Sequence, residues 1–568
     1  MRSLLLFGIM MLLFVPGAWS QPTCPEEGSR QDVLSTQATK YLWSLDPRKV
    51  TPSRRLALQK VYTPCGFRLL WSQDGVVSTQ ARDIMSEMRL SPRKGLRPSD
   101  YGVNWWGCRA VATEIPCSDR YQELAQFDVD LTAAVTRFAG DLRYGRVPPV
   151  IPKAGYASVV DDNFLAEFVR RLAITDNVLA LVSSLEPAYP GYLRTEAALS
   201  RMLTQRLDQT ETYLPTTVLN LKQGQTGEIA GLLNQRLSEL SYLPSPLMIP
   251  IRDEFDGQTT IALTRFQKDH GLDPTGAVNT ETERQLNISI EKRIEQLALT
   301  LERWRWLPQQ FNTGPIVVNI PEFRLRAYDN AGNVQLSMAV VVGNAANRLS
   351  PVLQAELHRI ILHPYWNVPA DITQLEMVPA IRRDPRFLVR RGFELVGRDQ
   401  RIAHPSKTQI IHLLRSGTLR IRQMPGPENA LGDIKFEFPN SFDVYMHGTS
   451  QASLFAHTRR DLSHGCIRLE APDRLAVWVL QQQKTSWDRE RLKMELSVPA
   501  TEVVTLDKDI PVLFVYGTGF AAEDGSLRFL NDVYGIDAQL ETGLARISAQ
   551  REHDDRIPWS PLAIAPSP

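Results

Sequence analysis

Between Pro439 and Gln481 the chain reads PNSFDVYMHGTSQASLFAHTRRDLSHGCIRLEAPDRLAVWVLQ, which puts Cys466 in one short span with three of the nine histidines, His447, His457 and His464. Two of them precede glycine, at His447-Gly448 and His464-Gly465. If Ser463 to Arg468 is extended, His464 and Cys466 lie on one face and an imidazole stands beside a thiol. Phe442 to Met446 alternates bulky and polar residues and reads as a strand that stops at His447-Gly448-Thr449. Two strand ends joined by the intervening loop would bring His447 to Cys466 as well.

The chemistry this set can do is thiol-dependent acyl transfer or amide hydrolysis. A thiol with a pKa of about 8.5 is only slightly ionised at neutral pH, and a nearby imidazole can raise the thiolate fraction and later hand a proton to a leaving amine. Glycine beside each histidine lets backbone groups face the reacting centre without a Cβ in the way. The N–H groups around His464, Gly465 and Cys466 are candidates to stabilise an oxyanion. Arg468 could bind a substrate carboxylate or hold the turn through its carbonyls. Ser463, Tyr445, Thr449 and Trp366 complete the candidates for oxyanion stabilisation or substrate positioning. Two plainer readings compete: Cys466 as a small buried apolar residue, and the histidines with Cys466 as zinc ligands. No CxxC or HExxH spacing accompanies them, and the polar setting of His457 before Arg459-Arg460 reads as exposed and uninvolved.

HGT at 447–449, followed after a loop by SHGCIR at 463–468, resembles the signature of the L,D-transpeptidases of the YkuD type, cysteine enzymes that cross-link bacterial peptidoglycan. The resemblance implies that Cys466 is the nucleophile and His447 the base, that the Gly448 carbonyl orients the His447 ring, and that His464 lines the site. It implies a thioester formed on a tetrapeptide stem with release of the terminal D-alanine, then a 3–3 cross-link to a second stem. It also implies no metal or cofactor, peptidoglycan stem peptides and glycan as partners, and covalent inhibition by carbapenem-type β-lactams. The residues alone do not separate this transferase from an L,D-carboxypeptidase or other cysteine peptidoglycan hydrolase, because the thioester is common to both. A non-catalytic cell-wall-binding protein is the third reading, and it has no need of HGT…SHGCIR.

These residues need a scaffold, and the chain offers a multidomain α+β arrangement. Residues 313–547 read as a β-rich catalytic domain. Strand-like runs from Gly314 alternate with DNAG and GNAANRLSP turns, Leu357 to Trp366 gives another strand, and Pro511 to Tyr516 a later one before an AEDG turn. Ala471-Pro472 opens a helix with Leu475, Trp478 and Val479 on its apolar side. The polar, basic stretch at about 370–397 breaks the strand pattern and resembles the helical capping insertion, or lid, of larger family members. Its Arg382, Arg383, Arg390 and Arg391 would suit an anionic stem peptide, or simply be solvated.

Residues 289–312 read as a connecting helix, and 220–288 resembles a small three-helix peptidoglycan-binding domain. Its apolar sets are Ile229, Leu232, Leu237 and Leu240, then Ile261, Leu263, Phe266 and Leu272, with a DPTG turn between helices. It could equally only brace the catalytic domain. Residues 21–219 are mixed: Tyr62 to Trp71 suggests strands or packed turns, Asp161 to Ser183 reads as helical, and Trp105 and Trp106 read as packing. The resemblance places a scaffold domain here.

At 568 residues and formal net charge +1 the chain is long enough for several cores and lacks the basic field of a nucleic-acid binder. Residues 1–20 read as a signal peptide or N-terminal anchor, the apolar run spanning Leu4 to Val15, so the expected location is the periplasm or cell envelope, with a membrane tether if the run is retained. Of five cysteines, four precede residue 120. In an oxidising compartment these allow three pairings, and Cys24 with Cys65 and Cys108 with Cys117 is the preferred one. That leaves Cys466 over. The proline-rich, charged tail at 548–568 is expected to be disordered.

Overall fold

The computed structural model describes residues 36–37, 39–40, 52–73, 76–103, 117–147, 160–206, 211–244, 250–309, 311, 313–483 and 487–556. The N-terminal apolar run, Cys24, Trp105, Trp106 and Cys108 lie outside the described residues, and so does the expected cysteine pairing. Cys65 is disulfide-bonded.

One compact unit gathers residues 1–87, 101–139 and 161–182. Tyr62 to Trp71 forms a packed turn: the helix Pro52–Tyr62 gives way at Thr63–Cys65 to a single 3-10 turn, closed by Gly66 at φ 59°. The turn leads into a two-residue hairpin, β1 (Ser72–Gln73) with β2 (Val76–Val77). Its backbone is gripped by the buried Asp128, which accepts from the Leu70 and Trp71 amides at 3.0 and 2.7 Å and from the Tyr62 hydroxyl at 2.6 Å. The span 161–183 is two helices, Asp162–Leu172 and Val178–Ser183. Asp161 caps the first through the Asn163 and Phe164 amides.

The second unit holds residues 88–100, 140–160 and 183–568. Its small helical domain packs Glu228–Glu239, Gly257–Asp269 and Thr280–Leu286 around Leu233, Leu237, Leu263, Phe266 and Leu286. Asp256 and Asn279 cap the last two helices, each accepting an amide at 2.8 Å. The DPTG turn is clamped by Gln267, which accepts from the Gly276 amide and donates to the Ala277 carbonyl, both at 2.8 Å. Ile261, expected in this core, is 72% exposed. The helix turns Ala262 inward in its place, while Leu263, Phe266 and Leu272 are buried as expected.

The β-rich domain is a sheet that closes on itself. In chain order its strands are β3 (Ile316–Asn319), β4 (Arg324–Tyr328), β5 (Val334–Gly343), β6 (Leu353–Leu362), β10 (Ile434–Glu437), β11 (Met446–His447), β12 (Asp461–Ser463), β13 (Ile467–Leu469) and β14 (Glu502–Val515). The pairings run β5, β13, β11, β10, β6, β14, β3, β4 and back to β5, with β12 added to β5. Alternation along the strands puts Val318, Leu325, Leu357, Phe436, Met446, Ile467 and Phe514 in one core. β14, which contains the expected strand from Pro511, is integral to the domain, pairing with both β6 and β3. A register shift separates Thr505 from Ile510, and Pro511 pairs with Glu356 just beyond it. The helix Pro472–Gln481 buries Leu475, Ala476, Val479 and Leu480 against this core.

The lid is larger than the stretch 370–397. It begins at β7 (Trp366–Asn367), takes in β8 (Phe393–Val396), and returns at β9 (Arg420–Gln423), which pairs with both. Helical turns from Ala370 to Arg390 and the helix Lys407–Arg415 cover this small sheet, and the whole has its own core, including Val368, Ile372, Leu388, Leu414 and Ile421. At the other end, the helix Ile536–Arg556 continues through residues 548–556, where disorder was expected. Arg551 on that helix bonds Asp141 at 2.7 and 2.9 Å, which gives the segment a fixed partner.

Candidate active site

The site is built where β11 and β13 run parallel. Met446 pairs with Ile467 and His447 with Arg468, and the Ile467 amide donates to the Tyr445 carbonyl at 3.1 Å. Met446, Ile467 and Leu469 fill the core, so alternation puts Tyr445, His447, Cys466 and Arg468 on the opposite face. Tyr445 stands level with Cys466, and His447 one diagonal step away.

His447 is buried, and its Nδ1–H donates to the Gly448 carbonyl at 2.5 Å. That bond fixes the tautomer and leaves Nε2 with its lone pair. Burial, aided by Arg468, lowers its pKa to about 3, so the ring is neutral at pH 7. Burial likewise pushes the Cys466 thiol up to about 11, against the opposing pull of Tyr445, Lys435 and Arg468. The resting pair is therefore a neutral thiol and a neutral imidazole. The Tyr445 side chain lies close enough to Cys466 to act on the ionisation of the thiol, and the Trp366 side chain acts likewise on Tyr445. Trp366 belongs to the lid, so a lid residue stands next to the phenol that neighbours Cys466.

The segment Ser463 to Arg468 is not continuously extended. β12 ends at Ser463, β13 starts at Ile467, and Gly465 between them sits at φ 115°. Only glycine takes that backbone freely. The kink turns His464 away from the thiol: its Nε2 lies 2.6 Å from Glu376 Oε1 on the lid. Ser463 works on the turn itself, donating to the Cys466 carbonyl at 2.7 Å and accepting from the Gly465 amide at 3.1 Å. The Gly465 N–H is thereby occupied within the turn. Ser350 adds a donor to the Gly465 carbonyl at 2.6 Å. Gly448 has a steric reason: a Cβ there would stand 3.2 Å from the Leu431 carbonyl and 3.3 Å from Pro472.

Arg468 donates to Gln451 at 2.7 Å, and the Gln451 amide donates to Thr449 Oγ1 at 3.1 Å, so Thr449 bears on the site through the loop. His457 is exposed at the end of a 3-10 turn. The four lid arginines stay at the surface. Arg390 pairs with Asp384, Arg391 with Glu428 at 2.6 Å, and Arg383 with the Pro379 carbonyl, while Arg382 is exposed. None of the four is joined to Cys466 or His447.

Three residues at the site carry no sequence signal. Lys435 faces His447 across the β10–β11 pair, with its ammonium 4.3 Å from the Tyr445 ring centroid. Glu376 lies in a π-helical turn, Thr373–Met377. Arg348, in the loop after β5, reaches both Asp371 and Glu376, at 3.5 and 3.4 Å. The alternation of Ile434 to Glu437 could have put Lys435 on the face away from the core. It could not have named the partner strand.

Residues 314–504 match the family model described as "L,D-transpeptidase catalytic domain". The closed sheet is a YkuD-type L,D-transpeptidase catalytic domain. Residues 56–199 match "Scaffold domain" and residues 226–286 match "Putative peptidoglycan binding domain". The chain is thus a multidomain protein in which a scaffold and a small helical peptidoglycan-binding domain precede the L,D-transpeptidase domain. A Haemophilus influenzae protein named "Putative L,D-transpeptidase" is 30% identical over 259 residues, covering 46% of this chain and 50% of that protein. The chain therefore spans about half the length of that relative. The architecture is consistent with a location at the cell envelope, and among the described residues no helix is long and apolar enough to cross a membrane.

Proposed function

We propose that this protein forms 3–3 peptidoglycan cross-links by two-step acyl transfer. In the first step Cys466 Sγ attacks the carbonyl that joins the third residue of a tetrapeptide stem to its terminal D-alanine. The S–C bond forms, the thiol proton passes to His447 Nε2, and the C–N bond breaks as that proton moves to the departing D-alanine amine. In the second step an amine of another stem attacks the thioester and gives its proton to His447. The thiol is then released with its proton. Every bond is exchanged for another, so no external energy source enters.

The observation that carries this reading is the face shared by Cys466, Tyr445, His447 and Arg468, with the His447 ring held by the Gly448 carbonyl. A neutral imidazole is in the protonation state that can take the thiol proton as the sulfur attacks. Arg468, whose own pKa is lowered by burial, supplies positive charge beside the sulfur. With the Gly465 amide engaged by Ser463, the His464 and Cys466 amides are the oxyanion donors in this reading. The lid, reaching the site through Trp366 and Glu376, supports transfer over hydrolysis, since it limits water at the thioester. Carbapenem-type β-lactams would acylate the same sulfur, the leader at 1–20 would export the chain to the periplasm, and a retained leader would tether it.

The test is mass spectrometry of purified protein incubated with disaccharide-tetrapeptide. Cross-linked dimer with release of one D-alanine is the expected product. Tripeptide alone under saturating acceptor would establish the carboxypeptidase instead, and no turnover with no β-lactam adduct would leave a wall-binding protein.

A further inference from the structure

The connecting helix Ile290–Trp304 and the helix Pro190–Gln205 meet β3 and β14 around a cleft of about 400 Å³ that shares no residue with the active site. Its volume lies in the range of small-molecule sites. Ile316, Val318, Val512 and Phe514 go into the core of the sheet, so Val317, Leu513 and Val515 point outward, with Val317 paired to Leu513. These three give the cleft an aliphatic floor. Its walls carry aromatic rings whose places are fixed. Tyr189 and Phe311 stack with centroids 5.8 Å apart. Trp304 packs on Gly191, where a Cβ would stand 2.2 Å from the indole, and lies 6.2 Å from the Tyr192 ring.

The cleft has two charged residues, Asp329 and Arg194. Asp329 is engaged within its own turn: it accepts from the Ala331 and Asn333 amides at 2.9 and 2.8 Å, and from the Asn333 and Gln335 side chains at 3.1 and 2.9 Å. Asn330 Oδ1 is likewise taken by the Gly314 amide at 2.9 Å. Arg194 is half-buried and has no hydrogen bond or ion pair among the described residues. Only its Nε is enclosed, so the two terminal nitrogens remain accessible. Its charge acts on the phenol of Tyr328, which also lines the cleft. Burial pushes that phenol up to about 12, so at neutral pH it keeps an O–H to donate, and no hydrogen bond among the described residues engages it. What remains unmet is one cation and one donor, close together beside an apolar floor.

A ligand that satisfies this set is an anion on an apolar body. A sugar or a peptide backbone would bring several O–H or N–H donors, and the turn acceptors that could receive them, Asp329 and Asn330, are already occupied. An acyl chain brings none. We propose that this cleft binds an amphiphilic anion, an acyl chain ending in a carboxylate or a phosphate. The chain lies on Val317, Leu513 and Val515 between the aromatic walls, and the anionic head meets the Arg194 guanidinium and the Tyr328 hydroxyl. A free fatty acid and a lipid phosphate share this chemistry. The site is independent of the reaction at Cys466.

The test is calorimetry on the full chain, with dodecanoate, dodecyl phosphate, dodecyl maltoside and acetate, each below its micelle concentration. At least one of the two anionic amphiphiles should bind, and the tighter of them names the source. The uncharged maltoside should bind at least about tenfold weaker, as expected for loss of a charge-assisted contact, and acetate should give no heat. Bromine-labelled dodecanoate should quench tryptophan fluorescence, and Trp304→Phe should remove the quenched component. Arg194→Met should weaken binding of the anions at least about tenfold while leaving β-lactam acylation of Cys466 at the native rate. Maltoside binding as tightly as both anions to the native protein would overturn the proposal, a comparison that needs no variant. Native-like binding in Arg194→Met, quenching that persists unchanged in Trp304→Phe, or no binding of either anion would also overturn it. Acylation of Cys466 is measured separately, so failure here and failure of the catalytic reading are told apart.

Discussion

His464 Nε2 lies 2.6 Å from Glu376 Oε1, so the histidine nearest Cys466 in sequence is committed to the lid. His447, nineteen residues before Cys466, keeps its Nε2 for the chemistry because Nδ1 is tied to Gly448. The two histidines should therefore separate under mutation. His447→Gln should slow β-lactam acylation of Cys466 by about 10²- to 10⁴-fold, the range for losing a general base. His464→Gln should cost about tenfold or less, through a looser lid, and Glu376→Gln should match it. Stopped-flow acylation rates check this, and equal losses from both histidine variants would refute the division of roles.

The pH dependence follows from two shifts of opposite sense. His447 takes up a proton only as pH falls to about 3, so its imidazole remains an available base throughout the range in which a free histidine would titrate. Cys466 holds its proton up to about 11. Alkylation by iodoacetamide should accelerate towards pH 11 and show no inflection near pH 6.5. The acylation rate with a β-lactam should not collapse between pH 7 and 5. A clear midpoint near 6.5 in either profile would mean that the imidazole is solvated and the thiol activated before attack. Cys466→Ser should yield no adduct in intact-mass analysis, and an adduct found at another residue would displace the nucleophile assignment.

Tyr445 offers a finer probe, since its side chain neighbours Cys466 and acts on the ionisation of the thiol. A hydrogen bond to a developing thiolate contributes about 1.5–3 kcal/mol. Tyr445→Phe should therefore slow acylation by about tenfold or more and raise the alkylation pKa of Cys466. Trp366→Phe should produce a smaller effect in the same direction. An unchanged alkylation pKa in Tyr445→Phe would show that the phenol only packs.

Cys466 and His447 could be singled out in the sequence because HGT and SHGCIR are short local words, each bringing its own turn with it. The geometry between them was only partly so. An extended Ser463 to Arg468 would have put His464 beside the thiol, but Gly465 at φ 115° breaks the run, and no propensity rule fixes which way the kink points. Lys435, Arg348 and Glu376 reach the site from a neighbouring strand, a loop and the lid, contacts that exist only after the sheet has closed. The lid was read too short for the same reason: Trp366-Asn367 and Arg420 to Gln423 are too far apart in the chain to look like partners, yet they pair. Ile261 alone was misplaced, because it lies at the edge of the buried face and the smaller Ala262 takes the inward position.

The last prediction concerns the first unit, where Asp128 organises the turn after Tyr62. Its two oxygens accept three hydrogen bonds, from the Tyr62 hydroxyl and the Leu70 and Trp71 amides, yet burial still raises its pKa to about 6. A carboxyl whose folded pKa lies above its unfolded value contributes stability that is present at low pH and lost as pH rises through the folded pKa. The native unit should therefore lose protection between about pH 4 and pH 6 by an amount that Asp128→Asn does not share. The amide cannot accept at both positions: with its oxygen towards Leu70 and Tyr62, its NH2 meets the Trp71 N–H donor to donor, at a cost of about 1–3 kcal/mol. The variant should thus be less stable than native at pH 4, with the gap narrowing by pH 7. Hydrogen exchange of the peptide containing Leu70 and Trp71, followed at both pH values, measures it locally without requiring the whole chain to unfold as one. A gap that widens with pH would mean that Asp128 is stabilised as the anion, and that its three donors outweigh its burial.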